Sequence, residues 1–250
     1  MRSKAEYDAV IGLCATGKSD YEIARLTGVP RSTVQKWRRS KPKRSRERDF
    51  TGWRPPDGET YCYVLGLYLG DGHIVHRNGR AGHMRLYLDD AYPRLIAEAS
   101  AALHLTLAPA RVRTYNWGRE ARTILQICNP VILAAFPQHG PGKKHDRKIE
   151  LVDWQRELTH AHPAALVRGL IHSDGCRTVN RFKTKLPSGR VAEYAYPRYF
   201  FSNLSADIRA IFCEHCELLG VGWTQSNSRN ISVSHRTSVA ILEDVVGPKR

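Results

Sequence analysis

Apolar residues recur at helical spacing at the front of this chain. Tyr7, Val10, Ile11 and Cys14 fall at i, i+3, i+4 and i+7, one face of a helix, and Gly17 suits its C-terminal end. Ser19 followed by Glu22 has the spacing of a capping box, so a second helix begins there, with Ile23, Ala24 and Leu26 as its apolar side. Thr27-Gly28-Val29-Pro30 breaks that helix, because Gly tolerates a tight turn and Pro suits the opening of the next one. A third helix runs from about Arg31 to Arg39, with Val34 and Trp37 inward. Arg31, Ser32, Thr33, Gln35 and Lys36 are left on its outer and N-terminal surface.

From about Tyr61 the pattern alternates between helical and strand periods. An apolar helix precedes a hairpin, His73–Val75 with His83–Leu88, turning at Asn78-Gly79 and Gly82. A helix from about Tyr92 to Leu103 is followed by a hairpin of Arg111–Tyr115 with Ala121–Cys128, with Gly118 near its turn. Pro130 starts another helix through Phe136. The order then repeats: a helix over Pro163–Asp174, a hairpin of Thr178–Lys185 with Glu193–Ser202, and a helix over Ala206–Leu219. Short strands at Gly222–Gln225 and Asn230–His235 and a helix over Thr237–Val245 complete it. The prediction is an α+β fold of two α-β-β-α-β-β-α halves behind a small all-α domain. Its boundaries are 1–39 for the front domain, 40–59 for a basic linker, 60–150 for the first half and 151–250 for the second.

A motif marks the start of each half. Val64-Leu65-Gly66-Leu67-Tyr68-Leu69-Gly70-Asp71-Gly72 returns 103 residues later as Val167-Arg168-Gly169-Leu170-Ile171-His172-Ser173-Asp174-Gly175. Both copies carry small residues four apart and close on Asp-Gly.

Charge gives the halves a partner. The formal net charge is +15, and such an excess points to nucleic acid or an anionic membrane. No apolar run approaches the roughly 20 residues a membrane span needs, and the first residues have no apolar signal segment behind them. The expected place is therefore the cytoplasm, on the nucleoid, where six cysteines stay reduced. Residues 1–50 hold 13 Lys and Arg against 6 Asp and Glu, so a fifth of the chain carries almost half the excess. That gradient sets the front domain apart as a basic module.

Glu22 to Trp37 resembles the helix-turn-helix of resolvases and many bacterial regulators. The resemblance implies a third helix in the major groove of double-stranded DNA, with Arg31, Ser32, Thr33, Gln35 and Lys36 towards bases or phosphates. The stretch Arg38 to Arg48 is seven-elevenths Lys or Arg, so Arg38, Arg39, Lys41, Lys43 and Arg44 form an arm suited to phosphates. Lys143 and Lys144 lie in a second basic crossing, between the halves, and join the DNA-binding candidates.

The paired motifs and repeated halves resemble the LAGLIDADG, or DOD-type, homing endonucleases over roughly residues 60–246. The resemblance implies two motif helices packed at the centre and two four-stranded sheets forming a saddle on DNA. The eighth motif position, the metal-binding carboxylate of that family, is Asp71 in one half and Asp174 in the other. The residues agree with this reading. Gly66 and Gly70, with Gly169 and Ser173, leave smooth stripes for close helix approach, which carries Asp71 and Asp174 towards one point. Carboxylates gathered there repel, and a divalent cation such as Mg²⁺ relieves them and suits phosphodiester hydrolysis. The sixth position, often acidic in the family, is Leu69 in one copy and His172 in the other. Lys183, Lys185 and Gln126 are candidates by type for the basic or amide group at the scissile phosphate, and the two lysines also for DNA contact. Cys213 and Cys216 have zinc-like spacing without a second pair, so a helical core face is the better reading. His73 and His76 follow Asp71 closely. The expected activity is site-specific cleavage of duplex DNA. The alternative is a transcriptional regulator that keeps the fold without the chemistry. An RNA-directed role ranks behind both. Two motif copies complete a site within one chain, so a monomer without an obligate protein partner is expected.

Overall fold

The computed structural model describes residues 2–39, 50–75, 82–117 and 121–247. Lys41, Lys43, Arg44, His76, Asn78, Gly79 and Gly118 lie outside them, as does part of the 40–59 linker. The chain divides into two units, Met1–Arg48 and Asp49–Arg250.

The first unit holds α1 (Lys4–Ala15), α2 (Asp20–Thr27) and α3 (Arg31–Arg39). Capping boxes start two of them. Ser3 and Ser19 accept the backbone N–H of Glu6 and Glu22, whose carboxylates accept the serines' own N–H groups in return. Gly28 ends α2 at φ +68°, a conformation that favours glycine. Val10, Ile23, Val29 and Val34 are buried together, with Trp37 packed against them. Leu26, expected on the inner side, is 58% exposed. In a helix of eight residues only the short arc around Ile23 and Ala24 reaches the core.

The second unit repeats one order of elements. Its first half is α4 (Gly58–Asp71), β1 (Gly72–Val75), β2 (Gly82–Asp89), α5 (Pro93–Thr106), β3 (Arg113–Trp117), β4 (Arg122–Asn129) and α6 (Ile132–Ala135). A 3₁₀ turn at Lys144–Asp146 and α7 (Asp153–Ala161) follow. The second half is α8 (Pro163–Asp174), β5 (Gly175–Lys185), β6 (Val191–Ser202), α9 (Ala206–Leu218), β7 (Thr224–Gln225), β8 (Asn230–Val233) and α10 (Arg236–Val246). Each half makes a four-stranded antiparallel sheet of the same topology, β1-β2-β4-β3 and β5-β6-β8-β7. The sequence did not predict α7, whose apolar signal is only Trp154 and Leu158. Its buried Gln155 donates to the Tyr61 hydroxyl at 2.6 Å, and that hydroxyl donates to the Ala135 carbonyl at 2.6 Å. Gln155 thus ties α7 to α4 and α6 through buried groups that all find partners.

One face of each sheet is closed. Met84, Leu86 and Leu88 of β2 and Tyr199 and Phe201 of β6 point into the core. The alternate residues, including Arg85, Tyr87, Gln126 and Arg113 in one sheet and Arg198 and Phe200 in the other, lie on the opposite faces.

Helices α4 and α8 cross backbone to backbone. A methyl placed on Gly66 would lie 2.6 Å from the Leu166 carbonyl oxygen and 2.8 Å from the Gly169 Cα. One placed on Gly169 would strike the Tyr63 carbonyl oxygen and lie 3.0 Å from the Gly66 Cα. Residues 61–69 of α4 are buried without interruption, because α8 covers one side and the rest of its own half the others. Gly169→Val should therefore cost at least about 1–3 kcal/mol of stability through overpacking. Urea unfolding followed by tryptophan fluorescence measures it. An unchanged midpoint would mean that the helices do not need this contact.

Candidate active site and nucleic-acid interface

The crossing carries its geometry to the ends of the helices. Asp71 is the last residue of α4 and Asp174 the last of α8. Gly70 closes the gap between them: a methyl there would strike the Ser173 side chain and lie 3.0 Å from the Asp174 Oδ2. Ser173 turns its hydroxyl back onto its own helix, donating towards the carbonyls of Leu170 at 3.0 Å and Gly169 at 3.1 Å. Asp174 lines a cleft of about 520 Å³ with Lys144, His73, Asn203, His139 and His145. Asp71 lines another, also of about 520 Å³, with Arg122, Tyr87, Asp89, Tyr92 and Ser173.

Lys144 is the central cation of this region. Its ammonium donates to the carbonyl oxygens of Tyr68, Leu69 and Gly70 at 2.5, 2.8 and 2.8 Å, closing the C-terminal end of the helix that ends on Asp71. Three donors in tetrahedral arrangement meet three converging acceptors. The same ammonium lies 5.1 Å from the centre of the Tyr68 ring. Burial pushes its pKa down to about 8, against the pull of Asp174 and Asp71 and with a smaller push from Arg147. Burial pushes the Tyr68 phenol up to about 12. His73 is held below its ordinary value by burial first, then by the charges of Lys144 and Arg85.

Asp174 has a side-chain partner from its own half. The Asn203 amide donates to Asp174 Oδ2 at 2.6 Å, from 29 residues away, and no local pattern announces it. The sixth motif position is structural in both copies. Leu69 is fully buried. His172 is buried too, its Nδ1 3.0 Å from the Tyr63 hydroxyl and its Nε2 3.1 Å from the Val246 carbonyl. That carbonyl can only accept, so Nε2 carries the proton and Nδ1 accepts from Tyr63. Cys213 and Cys216 are buried on α9, and among the described residues no three His, Cys, Asp or Glu side chains gather as a metal cluster. Two carboxylates suit Mg²⁺ nonetheless, because that ion commonly takes one or two carboxylates and leaves its other positions to water and phosphate.

Among the remaining candidates, Lys143 is exposed beside Lys144 and lines the cleft. Gln126 lies on the open face of the first sheet, accepting from Arg85 Nε at 2.7 Å. Lys183 and Lys185 share the register face of Tyr199 and Phe201, the reverse of the face that carries Phe200. Lys183 pairs there with Glu193. Sequence reasoning missed Arg85, Arg113 and Arg122 on the open face of the first sheet, although the polar alternation His83, Arg85, Tyr87, Asp89 could have found that face. In the front unit Arg31, Ser32, Lys36 and Arg39 are exposed, and Thr33 and Gln35 half-buried. Arg38 is held by Asp20 at 2.7 Å and by the Lys18 carbonyl at 2.5 Å, so it braces α3 against the start of α2.

Residues 4–40 match the family model of a homeodomain-like domain. No curated protein matches the chain. Among solved structures, mesophilic variants of the homing endonuclease I-DmoI match at a TM-score of 0.50 and 14% identity, covering 76% of this chain and 97% of that one. I-DmoI in complex with DNA and Mn gives 0.50 and 14%, with 76% and 98% covered. The LAGLIDADG meganuclease I-AabMI bound to uncleaved DNA gives 0.48 and 11%, with 74% and 82% covered. At such identities the likeness is one of fold: the chain carries a homing-endonuclease fold behind a homeodomain-like helix-turn-helix.

Removing the cap tests the centre of the site. Lys144→Met should lower stability by about 1–3 kcal/mol, since hydrogen bonds to a charged group are lost and carbonyls are left in a partly buried place. Lys144→Arg should recover only part of this, because a planar guanidinium does not match three converging carbonyls. Chemical denaturation of the three proteins reads both, and full recovery in the Arg variant would show that charge alone matters.

Proposed function

We propose that this protein is a site-specific endonuclease of double-stranded DNA that works with a divalent cation. The observation that carries the reading is that Asp71 and Asp174 end two crossed helices and that both carboxylates act on the one Lys144 ammonium. Asp71 and Asp174 are the residues that would hold Mg²⁺ or a similar ion, which supplies charge to activate water and to stabilise the leaving oxygen. Lys144 fixes the carbonyl end of α4 and so the backbone that presents Asp71. Its charge offsets the carboxylates and favours a phosphate in the adjoining cleft. Arg85, Arg113 and Arg122 on the open sheet face suit a phosphate backbone. The fold of I-DmoI, solved with DNA and Mn, supports the same assignment.

The domains read as 1–39 for a helix-turn-helix, 40–59 for a basic linker, and 60–150 and 151–250 for the two halves. Arg31, Ser32, Thr33, Gln35 and Lys36 approach the major groove, and Arg39, Lys41, Lys43, Arg44 and Lys143 approach phosphates. A single chain carries both carboxylates, so the working form is a monomer. Among the described residues no helix is long and apolar enough to cross a membrane. The proposed place of action is the nucleoid, in the cytoplasm.

The test is cleavage of a plasmid library carrying random duplex inserts, with Mg²⁺, followed by sequencing of cut ends. Cutting should occur at one recurring sequence. The Asp71→Asn Asp174→Asn protein should cut at least about 100-fold more slowly, equivalent to about 3 kcal/mol in the barrier, while binding the same duplex. The Asn203 amide already engaging Asp174 favours a second reading, a non-cleaving DNA-binding regulator. A tightly bound duplex left uncut in Mg²⁺ and in Mn²⁺ would establish that reading and end the first.

The front unit makes its own prediction. Lys36→Ala should weaken binding evenly across sequences and reduce the slope of log affinity against log salt by about 1. Gel-shift titrations at several salt concentrations measure the slope. An unchanged slope would remove Lys36 from the interface.

A further inference from the structure

The second sheet has an arm that the first lacks among the described residues. Strand β2 pairs with β4 along its whole length, Gly82 to Asp89. Strand β6 pairs with β8 only from Tyr199 to Ser202, yet pairs with β5 back to Val191. Residues 178–185 and 191–198 therefore form a two-stranded ribbon beyond the sheet. Eight residues of strand reach roughly 25 Å, about the length of seven stacked base pairs.

The two faces of the ribbon differ. Phe182, Tyr194 and Tyr196 share one face with Asn180 and Thr178, and that face runs on into Arg198, Phe200 and Ser232 on the open side of the sheet. Tyr194 and Tyr196 lie 14° from parallel, and Phe182 is inclined by 28° to the first and 37° to the second. Phe182 and Tyr194 are 5.4 Å apart, Tyr194 and Tyr196 5.9 Å, and Phe182 and Tyr196 6.1 Å between centres. Cross-strand aromatic contacts steady a ribbon that would otherwise be marginal in water. They do not hide the rings: Phe182 is 43% and Tyr196 51% exposed. From residue 175 to 202 there are six Lys and Arg against one acid, Glu193.

We propose that this ribbon enters the major groove beside the central site and that Phe182, Tyr194 and Tyr196 select thymine there by contact with its C5-methyl group. The inference rests on the duplex-DNA reading above and names its flanking specificity. A two-stranded ribbon fits the major groove, where the thymine methyl is the apolar feature that side chains such as Phe touch. Arg198 shares the ringed face, while Arg181, Lys183 and Lys185 lie on the reverse one. The ring spacing argues against bases inserted between the rings. A sandwiched base needs about 7 Å between two ring planes, twice the 3.4 Å stacking distance, and centres 5.4–6.1 Å apart leave no such slot. Ring edges and outer faces are what remain on offer.

The experiment uses the full chain and duplexes enriched by repeated binding from a random-sequence pool without divalent metal. Each thymine of the enriched duplex is then replaced singly by uracil, which removes the methyl and keeps the pairing. In one flank, uracil should weaken wild-type binding by about fourfold per contacted methyl, the worth of one buried methyl group. This reading is made on the unaltered protein, so no variant's folding enters it. The Phe182→Thr Tyr196→Thr protein keeps strand-favouring residues and should lose most of the uracil penalty, with Tyr194 retaining its share. Enriched duplexes with no flanking thymine preference, or uracil substitution without effect, would overturn the proposal while leaving the endonuclease reading intact. So would a double variant that loses binding to a single-stranded oligonucleotide instead. Failure to enrich any duplex would count against the underlying reading and this proposal together.

Discussion

The contact between Gly66 and Gly169 is the constraint from which the rest of the second unit follows. Two helix backbones in direct contact leave no room for a methyl group at either glycine. The approach fixes how the helices cross, and so where their last residues lie. A side chain at the crossing would push the axes apart, and the ends bearing Asp71 and Asp174 would move with them. Close packing makes this arrangement stiff, since a buried interface at crystal-like density does not deform continuously. The hydrogen-bonded chain from Gln155 through Tyr61 to Ala135 braces α4 on another side.

That geometry creates an electrostatic problem which the chain answers with unlike means in its two halves. The C-terminus of a helix carries about half a negative charge, and here two such ends meet with a carboxylate on each. Lys144 answers for α4 with an ammonium on three carbonyls. At Asp174 the neutral amide of Asn203 takes one carboxylate oxygen. A site built this way draws in positive charge, and its clefts hold Lys144 beside Asp174 and Arg122 beside Asp71.

Much of this was legible in the sequence because it depends on short-range pattern. Small residues four apart and a terminal Asp-Gly announced both central helices, and a capping box placed the start of α2 within a residue. What stayed hidden depends on contacts between distant segments. Lys144 read as one more cation of a basic crossing, because its carbonyl partners lie 74–76 residues earlier. His172 read as a lost acidic position, although Tyr63 and Val246 make it a satisfied buried bridge. In Arg198-Tyr199-Phe200-Phe201-Ser202 both sides are aromatic: Tyr199 and Phe201 fill the core, while Phe200 stacks with Arg198 on the open side.

The duplicated backbone therefore carries two unlike surfaces. The first sheet offers arginines, with Arg85 steered by Gln126. The second offers Arg198 and Phe200 and extends them into an aromatic ribbon. Guanidinium groups bond phosphates of any sequence, whereas apolar rings respond to which base edge they meet. A twofold-related pair of central helices does not require a twofold-related target, since only the helix crossing demands the symmetry. The crossing glycines must match because they touch each other. Shared backbone and unlike side chains then suit a single chain to an asymmetric duplex, which a dimer of identical halves would read less fully.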